Sequence, residues 1–215
     1  MSVASGEHRR PDAPARRGRP ATASREDVLR LVREQYLNGE RVDLTVVAAR
    51  LGLGRATIYR WFGSREALLG QVIADALDAL VAQSRRAVRR HGAAGLLAVF
   101  DRINRTLTRS RALRTLLEQE RDSAMRLLTS SGGVVQPRAV ACVKALLDAE
   151  IATGRYEAPA DTETLAYALV RLCEAFLYND AAIGIRGEYE RLRDVQAVLL
   201  GAPHRAPRTR RSRPS

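Results

Sequence analysis

Hydrophobic residues recur three and four positions apart along most of this 215-residue chain, which is the spacing of amphipathic helices. No segment alternates apolar and polar residues long enough to predict a β-strand. The pattern predicts about nine helices, at about 24–38, 44–51, 55–62, 64–90, 94–108, 111–129, 136–153, 161–181 and 187–200. We therefore expect an all-α protein.

Two short helices and a tight turn within residues 44–62 predict a helix-turn-helix motif. Gly52 lies at the corner, because glycine tolerates a positive φ. The second helix buries Ile58 and Phe62 and leaves four side chains outside, namely Arg55, Thr57, Arg60 and Trp61. Cations, a hydroxyl and an indole suit the base edges and phosphates of a DNA major groove better than they suit a protein core.

The segment 47–69, VAARLGLGRATIYRWFGSREALL, resembles the DNA-binding domain of TetR-type transcriptional regulators. The resemblance implies that Thr45, Arg55, Thr57 and Arg60 face base edges, that Tyr59, Trp61 and Arg65 hold phosphates, and that Ala56 lies at the same surface. An ordinary helical hairpin with charged faces is the alternative, and it leaves the match of apolar, turn and contact residues unexplained.

Three residues depart from the family's pattern. Gly54 stands where Ser or Thr is usual, so the helix 55–62 has only the weaker glycine N-cap. Leu51 stands where a small Ala is common, which predicts slightly wider packing of the two helices. Arg65 replaces the usual Lys and can hold a phosphate with a planar fork.

The termini carry most of the basic excess. The net charge is +12, of which residues 1–20 contribute +3 and residues 203–215 contribute +5. Both segments are rich in proline and are expected to be disordered. Arg17 and Arg19 flank Gly18, an arrangement that fits a narrow minor groove. A solvated tail that adds only non-specific attraction is an equally open interpretation.

The predicted domains are a basic arm at 1–20, a helix-turn-helix DNA-binding domain at 21–70, a helical effector-binding and dimerisation domain at 71–202, and a basic tail at 203–215. One helix-turn-helix reads only a few base pairs, so a homodimer on a palindromic operator is expected. Cys142 and Cys173 lie in apolar helical contexts, which favours buried thiols over a disulfide.

The segment 164–180, TLAYALVRLCEAFLYND, with GERVDL and AMRLLTSSGGVVQPR earlier in the chain, is similar to a QsdR-type subgroup of TetR regulators, named for regulating quorum-sensing lactone degradation. This implies a lactone-like amphiphile as effector. The family resemblance also implies that the last two helices pair with their copies in a four-helix bundle. Some of the expected contributors must belong to the chain's own core; they are Leu165, Leu169, Leu172, Phe176, Val195, Val198 and Leu199.

A helical wheel of residues 161–181 places four side chains together, opposite an apolar arc that is expected to face the core. That arc holds Leu165, Leu169, Leu172, Cys173 and Phe176. The four are Tyr167, Arg171, Glu174 and Tyr178. Three interpretations stay open: a surface ion pair with two tyrosines beside it, a stripe at the dimer interface, and the wall of an effector pocket. In the third, the hydroxyls and the guanidinium bind a ligand carbonyl among apolar neighbours, namely Phe100, Ile103, Met125 and Leu146.

Other function classes have little support. The three histidines lie in the two tails and at a helix end, and no zinc-protease, Walker or nucleophile-elbow motif is present, so neither an enzyme nor a cofactor or metal is expected. An architectural DNA protein would leave the large helical domain unexplained. No apolar run approaches the roughly 18 residues that span a bilayer, and the N-terminus lacks the apolar core of a secretory signal. We expect a cytoplasmic protein without a membrane partner.

The sequence therefore predicts a dimeric repressor that a small amphiphilic molecule releases from a palindromic operator. An activator of the same fold and a small-molecule-processing helical enzyme are the alternatives.

Overall fold

The computed structural model describes residues 23–178 and 189–203, and within these ranges all regular structure is α-helical. We number the helices in chain order: α1 (Arg25–Leu37), α2 (Leu44–Leu51), α3 (Arg55–Phe62), α4 (Arg65–Ala87), α5 (Gly92–Arg109), α6 (Arg111–Gln119), α7 (Arg121–Thr129), α8 (Val135–Ala152), α9 (Thr162–Leu177) and α10 (Tyr189–Leu199). The all-α prediction is confirmed.

Helices α1, α2 and α3 form a three-helix head. Ser24 caps α1 by accepting from the Asp27 amide, and the Asp27 carboxylate accepts from the Ser24 amide, so the two residues form a capping box. Asp43 caps α2 through the Thr45 amide, at 2.7 Å. The apolar side chains that the helical spacing places inside are buried in the head; they include Val28, Val32, Val47, Ile58 and Phe62.

Helix α4 connects the head to the rest of the molecule. The Ser64 hydroxyl caps its start by accepting from the Ala67 amide at 2.9 Å, and its 23 residues rise about 35 Å. By length and composition alone, α4 is apolar enough to cross a membrane, but Leu68 and Leu69 are buried against other helices, as is typical of a core helix. The search of the sequence for uninterrupted apolar runs did not identify α4, because Asp75 and Asp78 lie within this helix.

The junction between α4 and α5 is held by a buried carboxylate. Helix α4 ends at Ala87, three residues before the predicted end. Glu150 of α8 is 3% exposed; one of its oxygens accepts from Arg85 at 2.7 Å and the other from the Gly92 amide at 2.9 Å. Gly92 has φ +62°, and a Cβ there would lie 2.6 Å from the Arg155 carbonyl oxygen, so this turn requires glycine.

The single helix predicted at 111–129 is two helices, α6 and α7, so the described residues contain ten helices where the sequence predicted about nine. The backbone leaves the helical region at Glu120, where φ is −139° and ψ is 44°. Apolar spacing did not reveal the break, because Leu116 and Ala124 on either side of it are both buried and no glycine or proline marks the position.

Buried apolar side chains form two clusters. The first joins the head to the start of α4 and to α6, α7 and the first residue of α8. The second lies among the later part of α4, α5, α8, α9 and α10. Helices α6 and α7 therefore pack against the core of the head, although they follow the predicted boundary at residues 70 and 71. Those domain limits stay a prediction.

Candidate nucleic-acid interface and internal cavity

The turn between α2 and α3 has the geometry that the glycine pattern predicts. Gly52 adopts the left-handed region with φ 63° and ψ 28°, and the Leu53 amide donates to the Ala48 carbonyl at 2.9 Å. Gly54 precedes α3 in an extended conformation and supplies no side-chain cap. The turn and the buried Ile58 together fix α3 against α2, so the outward side of α3 is a defined surface.

The outward side of α3 carries the side chains that the sequence assigns to DNA. Arg55, Ala56, Tyr59 and Arg60 are exposed. Thr57 and Trp61 are partly buried, and the Trp61 ring packs edge-on against Phe62 with 6.5 Å between ring centroids. Thr45, at the start of α2, is exposed. The arrangement presents two guanidinium groups and a phenol on one accessible helix side, which is the geometry of a groove-reading helix.

Arg65, the expected phosphate ligand, is held by protein groups in this structure, which contains no DNA. Its guanidinium makes a two-pronged ion pair with Glu120, at 2.8 Å and 2.7 Å, and its Nε donates to the Val42 carbonyl at 2.7 Å. The side chain is 19% exposed. In this structure Arg65 ties the start of α4 and the loop before α2 to the junction of α6 and α7.

Glu120 is the partner that sequence reasoning missed. It also accepts from Arg41 at 3.2 Å, so two arginines converge on it. Burial alone would raise the pKa of its carboxyl, but the hydrogen bonds and charges of Arg65 and then Arg41 hold that pKa below the usual value. The segment Gln119-Glu120-Arg121 carries no signal for this contact, since the sequence separation is 55 residues from Arg65 and 79 from Arg41.

Arg17 and Arg19, the expected minor-groove contacts, lie outside the described residues.

The helices from α4 onward form what we call the body of the molecule. The body contains a cavity with mostly apolar walls. Its empty volume is about 580 Å³, part of which is open to solvent. Helices α4, α5, α7, α8, α9 and α10 all contribute to it. The apolar walls consist of Leu77, Val81, Phe100, Ile103, Leu107, Leu128, Val135, Ala139, Val143, Leu169 and Val170.

A buried pair of amides lies at one side of this cavity. Asn104 Nδ2 donates to Gln196 Oε1 at 2.8 Å, and the Cys173 thiol donates to Asn104 Oδ1 at 3.3 Å. Burial raises the pKa of the Cys173 thiol to about 12, so it stays protonated and remains a donor. The sequence did contain a signal for Asn104, because it is a polar residue on the apolar face formed by Phe100, Ile103 and Leu107.

Glu174 and Tyr178 of the predicted stripe do line the cavity. Glu174 is 6% exposed and accepts from Arg171 at 2.8 Å and from Gln136 at 3.4 Å. Burial raises the pKa of the Glu174 carboxyl, and Arg171 opposes that shift. Burial likewise raises the pKa of Tyr178 far above its ordinary value, so its hydroxyl is a permanent donor.

The predicted pocket residues divide into two sets. Phe100 and Ile103 line the cavity with Glu174 and Tyr178. Four others do not, namely Met125, Leu146, Tyr167 and Arg171. The buried side of α7 passes through Ala124 and Leu128, one position from Met125. Leu146 packs in the second cluster without lining the cavity.

The inward face of α9 is rotated from the face that the wheel predicts. Val170 and Glu174 are buried, whereas Leu172 and Phe176 are only partly buried and Tyr167 is 51% exposed.

The residues expected at the dimer interface divide into buried and exposed ones. Leu165 and Leu169 belong to the chain's own core, while Val195 and Val198 of α10 are 42% and 57% exposed. Cys142 and Cys173 are both free thiols.

Comparison with known proteins identifies relatives for both parts of the chain. Residues 91–201 match the family model described as "Tetracyclin repressor-like, C-terminal domain". The structure of the transcriptional repressor QsdR of the TetR family, from R. erythropolis, is similar with a TM-score of 0.77 and 30% identity, over 85% of this chain and 97% of that chain. AlkX, a TetR-family repressor from a Dietzia species implicated in the biodegradation of n-alkanes, is similar with a TM-score of 0.58 and 20% identity, over 84% and 97% of the two chains. No curated protein sequence matches the chain.

Proposed function

Because the chain belongs to the TetR family of transcriptional regulators, we propose that it is a dimeric repressor that leaves its operator when a small amphiphilic molecule binds in the body. The family and the structural neighbours are transcription regulators and not enzymes. The family's DNA-binding function and helical fold are thereby those of this chain. The dimer, the effector and the individual contacts are our proposal.

The observation that carries the DNA-binding assignment is the outward side of α3. Ile58 is 1% exposed and points into the head, so Arg60, on the opposite side of the helix, is directed outward. Arg55 is exposed at the first turn of α3. We assign Thr45, Arg55, Thr57 and Arg60 to base edges and Tyr59 and Trp61 to phosphates, with Ala56 against the groove wall. The basic arm with Arg17 and Arg19 is assigned to the adjacent minor groove.

The effector assignment rests on the cavity and on the relatedness to QsdR. A mostly apolar space with an amide pair and a phenol fits a small molecule that is largely hydrocarbon with one polar group. The 30% identity to QsdR makes membership of a QsdR-like subgroup our finer proposal, with a lactone-type amphiphile as the candidate effector. Residues 71–202 then form the effector-binding and dimerisation domain and residues 21–70 the DNA-binding domain.

The dimer is assigned to α9 and α10. Val195 and Val198 leave an apolar strip on α10 that nothing in the described part of the chain covers, and Tyr167 does the same on α9. Pairing of these helices with their copies would form a four-helix bundle.

A repressor of this kind works where the DNA is, so we place the protein in the cytoplasm.

Substitution of Arg60 tests the assignment of α3. Full-length protein is first used to select its operator from a pool of random duplexes, and affinity for that duplex is then measured by fluorescence anisotropy. Arg60→Ala should weaken binding by about 1–3 kcal/mol and relax the preference at one base position. Arg102→Ala is the matched control, because Arg102 is an exposed arginine on α5. Equal losses in the two variants would mean that α3 does not read the operator.

A further inference from the structure

We propose that the cavity selects uncharged amphiphiles and that Glu174 excludes molecules of the same length that end in a carboxylate. The inference deepens the proposed function, since it takes this cavity as the effector site. It assigns the discrimination between neutral and anionic ligands to the side chain of Glu174.

Charge along the cavity wall is the first observation. Glu174 is the one carboxylate among the described lining residues, and no arginine, lysine or histidine lines the cavity in the part of the chain that the structure describes. The remaining polar lining groups are two amides, a thiol and a phenol. A ligand carboxylate would therefore enter a mostly apolar space that offers it a like charge and no cation.

The pairing of Glu174 is the second observation. Arg171 donates to Glu174 Oε2 at 2.8 Å but is not part of the cavity wall, and its side chain is about half exposed. The carboxylate is thus balanced from the solvent side. The ion pair is neutral as a unit, so a second anion inside the cavity would remain uncompensated and desolvated. A neutral ligand leaves this balance unchanged.

The donors that remain for a ligand are the third observation. Asn104 and Gln196 bond to each other, and the Cys173 thiol is directed to Asn104. Tyr178 also lines the cavity, and its phenol is uncharged. The phenol and the amide N–H groups of Asn104 and Gln196 that their mutual bond does not use are neutral donors. They can satisfy a carbonyl or hydroxyl oxygen, but they cannot neutralise a full charge. The ligand class that fits is a hydrocarbon chain or ring with one neutral oxygen function.

Three probes of equal carbon number separate the possibilities: γ-decalactone, decanoate and decylammonium. Their binding to the full-length protein is measured by isothermal titration calorimetry at pH 8, where decanoate is ionised and decylammonium is charged. We expect wild type to bind the lactone at least about 100-fold more tightly than decanoate, because a like charge opposes the ligand carboxylate in a desolvated site. This comparison needs no variant, so it holds even if a substitution impairs folding.

Glu174→Gln removes the charge and keeps the shape. We expect the variant to gain decanoate affinity and bring the ratio of the two affinities within about tenfold. Glu163→Gln is the matched control, since Glu163 is an exposed carboxylate on the same helix, and it should behave as wild type. Circular dichroism confirms that each variant is folded.

Equal affinity of wild type for decanoate and lactone would overturn the inference, as would a preference for decylammonium or a failure of the lactone to bind. An unchanged ratio in a folded Glu174→Gln protein would also overturn the role of Glu174. Operator affinity is measured on the same samples. If the lactone binds with the expected selectivity but operator affinity does not change, the inference holds and the proposed effector function fails.

Discussion

At the scale of single residues, Arg65 shows how one guanidinium can suit two roles. Its family position suggests a phosphate contact, yet its guanidinium donates to Glu120 and to the Val42 carbonyl. Arginine permits this because its planar fork matches a carboxylate with two parallel hydrogen bonds, whereas a lysine would supply a point charge. The departure from the family's usual Lys thus coincides with an ion pair between the head and the body.

Removal of the Glu120 charge should lower stability in a pH-dependent way. We expect Glu120→Gln to reduce the free energy of unfolding by about 1–3 kcal/mol near neutral pH, because Arg65 and Arg41 lose their shared partner. The folded-state pKa of Glu120 lies below the usual 4.5, so its contribution is complete above that pH and disappears as the pH falls through the folded value. Urea unfolding at pH 7 and at pH 3.5 measures the difference.

Glu118→Gln is the control for this prediction, since Glu118 is an exposed neighbour on α6. A difference between Glu120→Gln and wild type that stays constant down to pH 3.5 would contradict the ion-pair account. For Arg65→Ala we expect the same loss of stability and little change in the salt dependence of operator binding. A salt slope reduced by about one would instead show that Arg65 leaves Glu120 for a phosphate on DNA.

At the scale of helices, the sequence predicted the ends that local chemistry determines and missed those that depend on distant contacts. Ser24 and Asp27 cap α1, and Gly52 turns the chain, because both effects act within a few residues. The break lies at Glu120, whose partners Arg65 and Arg41 are far away in sequence, so local spacing could not reveal the contacts made there.

The candidate site, like the helix ends, was predicted only in part from the sequence. The outward side of α3 followed from a short helix with a clear apolar face. The inward face of α9 was misplaced because Glu174, a buried carboxylate, resembles a surface residue in any hydrophobicity pattern. Only its partners Arg171 and Gln136 make that burial possible, and they are visible only in three dimensions.

Gly52 and Gly54, both in the turn between α2 and α3, should change the free energy of unfolding in opposite directions when they are substituted. Gly54→Ser should raise the free energy of unfolding by about 0.5–1 kcal/mol, because it adds an N-cap and stiffens the unfolded chain. A Cβ there meets only Thr57 Oγ1, at 4.0 Å. Gly52→Ala should lower it by about 1 kcal/mol, because φ is +63° there. Thermal unfolding of both variants checks the pair, and a change of the same sign in both would refute this account of the turn.

At the scale of the whole molecule, the dimer proposal depends on the apolar strip of α10. Val198→Glu should convert a dimer to a monomer, because a charge would be buried between two copies. Val134→Glu is the matched control, since Val134 is 46% exposed and lies outside α9 and α10. Sedimentation velocity at micromolar concentration distinguishes the two states. A dimer that persists in Val198→Glu and dissociates in Val134→Glu would place the interface elsewhere.

A ligand in the cavity has a direct structural path to the head. Tyr178 lines the cavity and also packs against the cluster that holds the head's core, and α4 runs from the head past the cavity through Leu77 and Val81. Displacement of these side chains would change the position of the head relative to the body. In a dimer, this would change the spacing between the two heads. We therefore expect ligand binding in the cavity and DNA binding by the head to be coupled.

The most direct test is a linkage titration with full-length protein and its selected operator. Operator affinity is measured by fluorescence anisotropy without γ-decalactone and with γ-decalactone at saturation, and lactone affinity is measured with and without operator. The account predicts that the lactone weakens operator binding by about 5- to 150-fold and that operator weakens lactone binding by the same factor. An operator affinity that is unchanged when the cavity is saturated would contradict it.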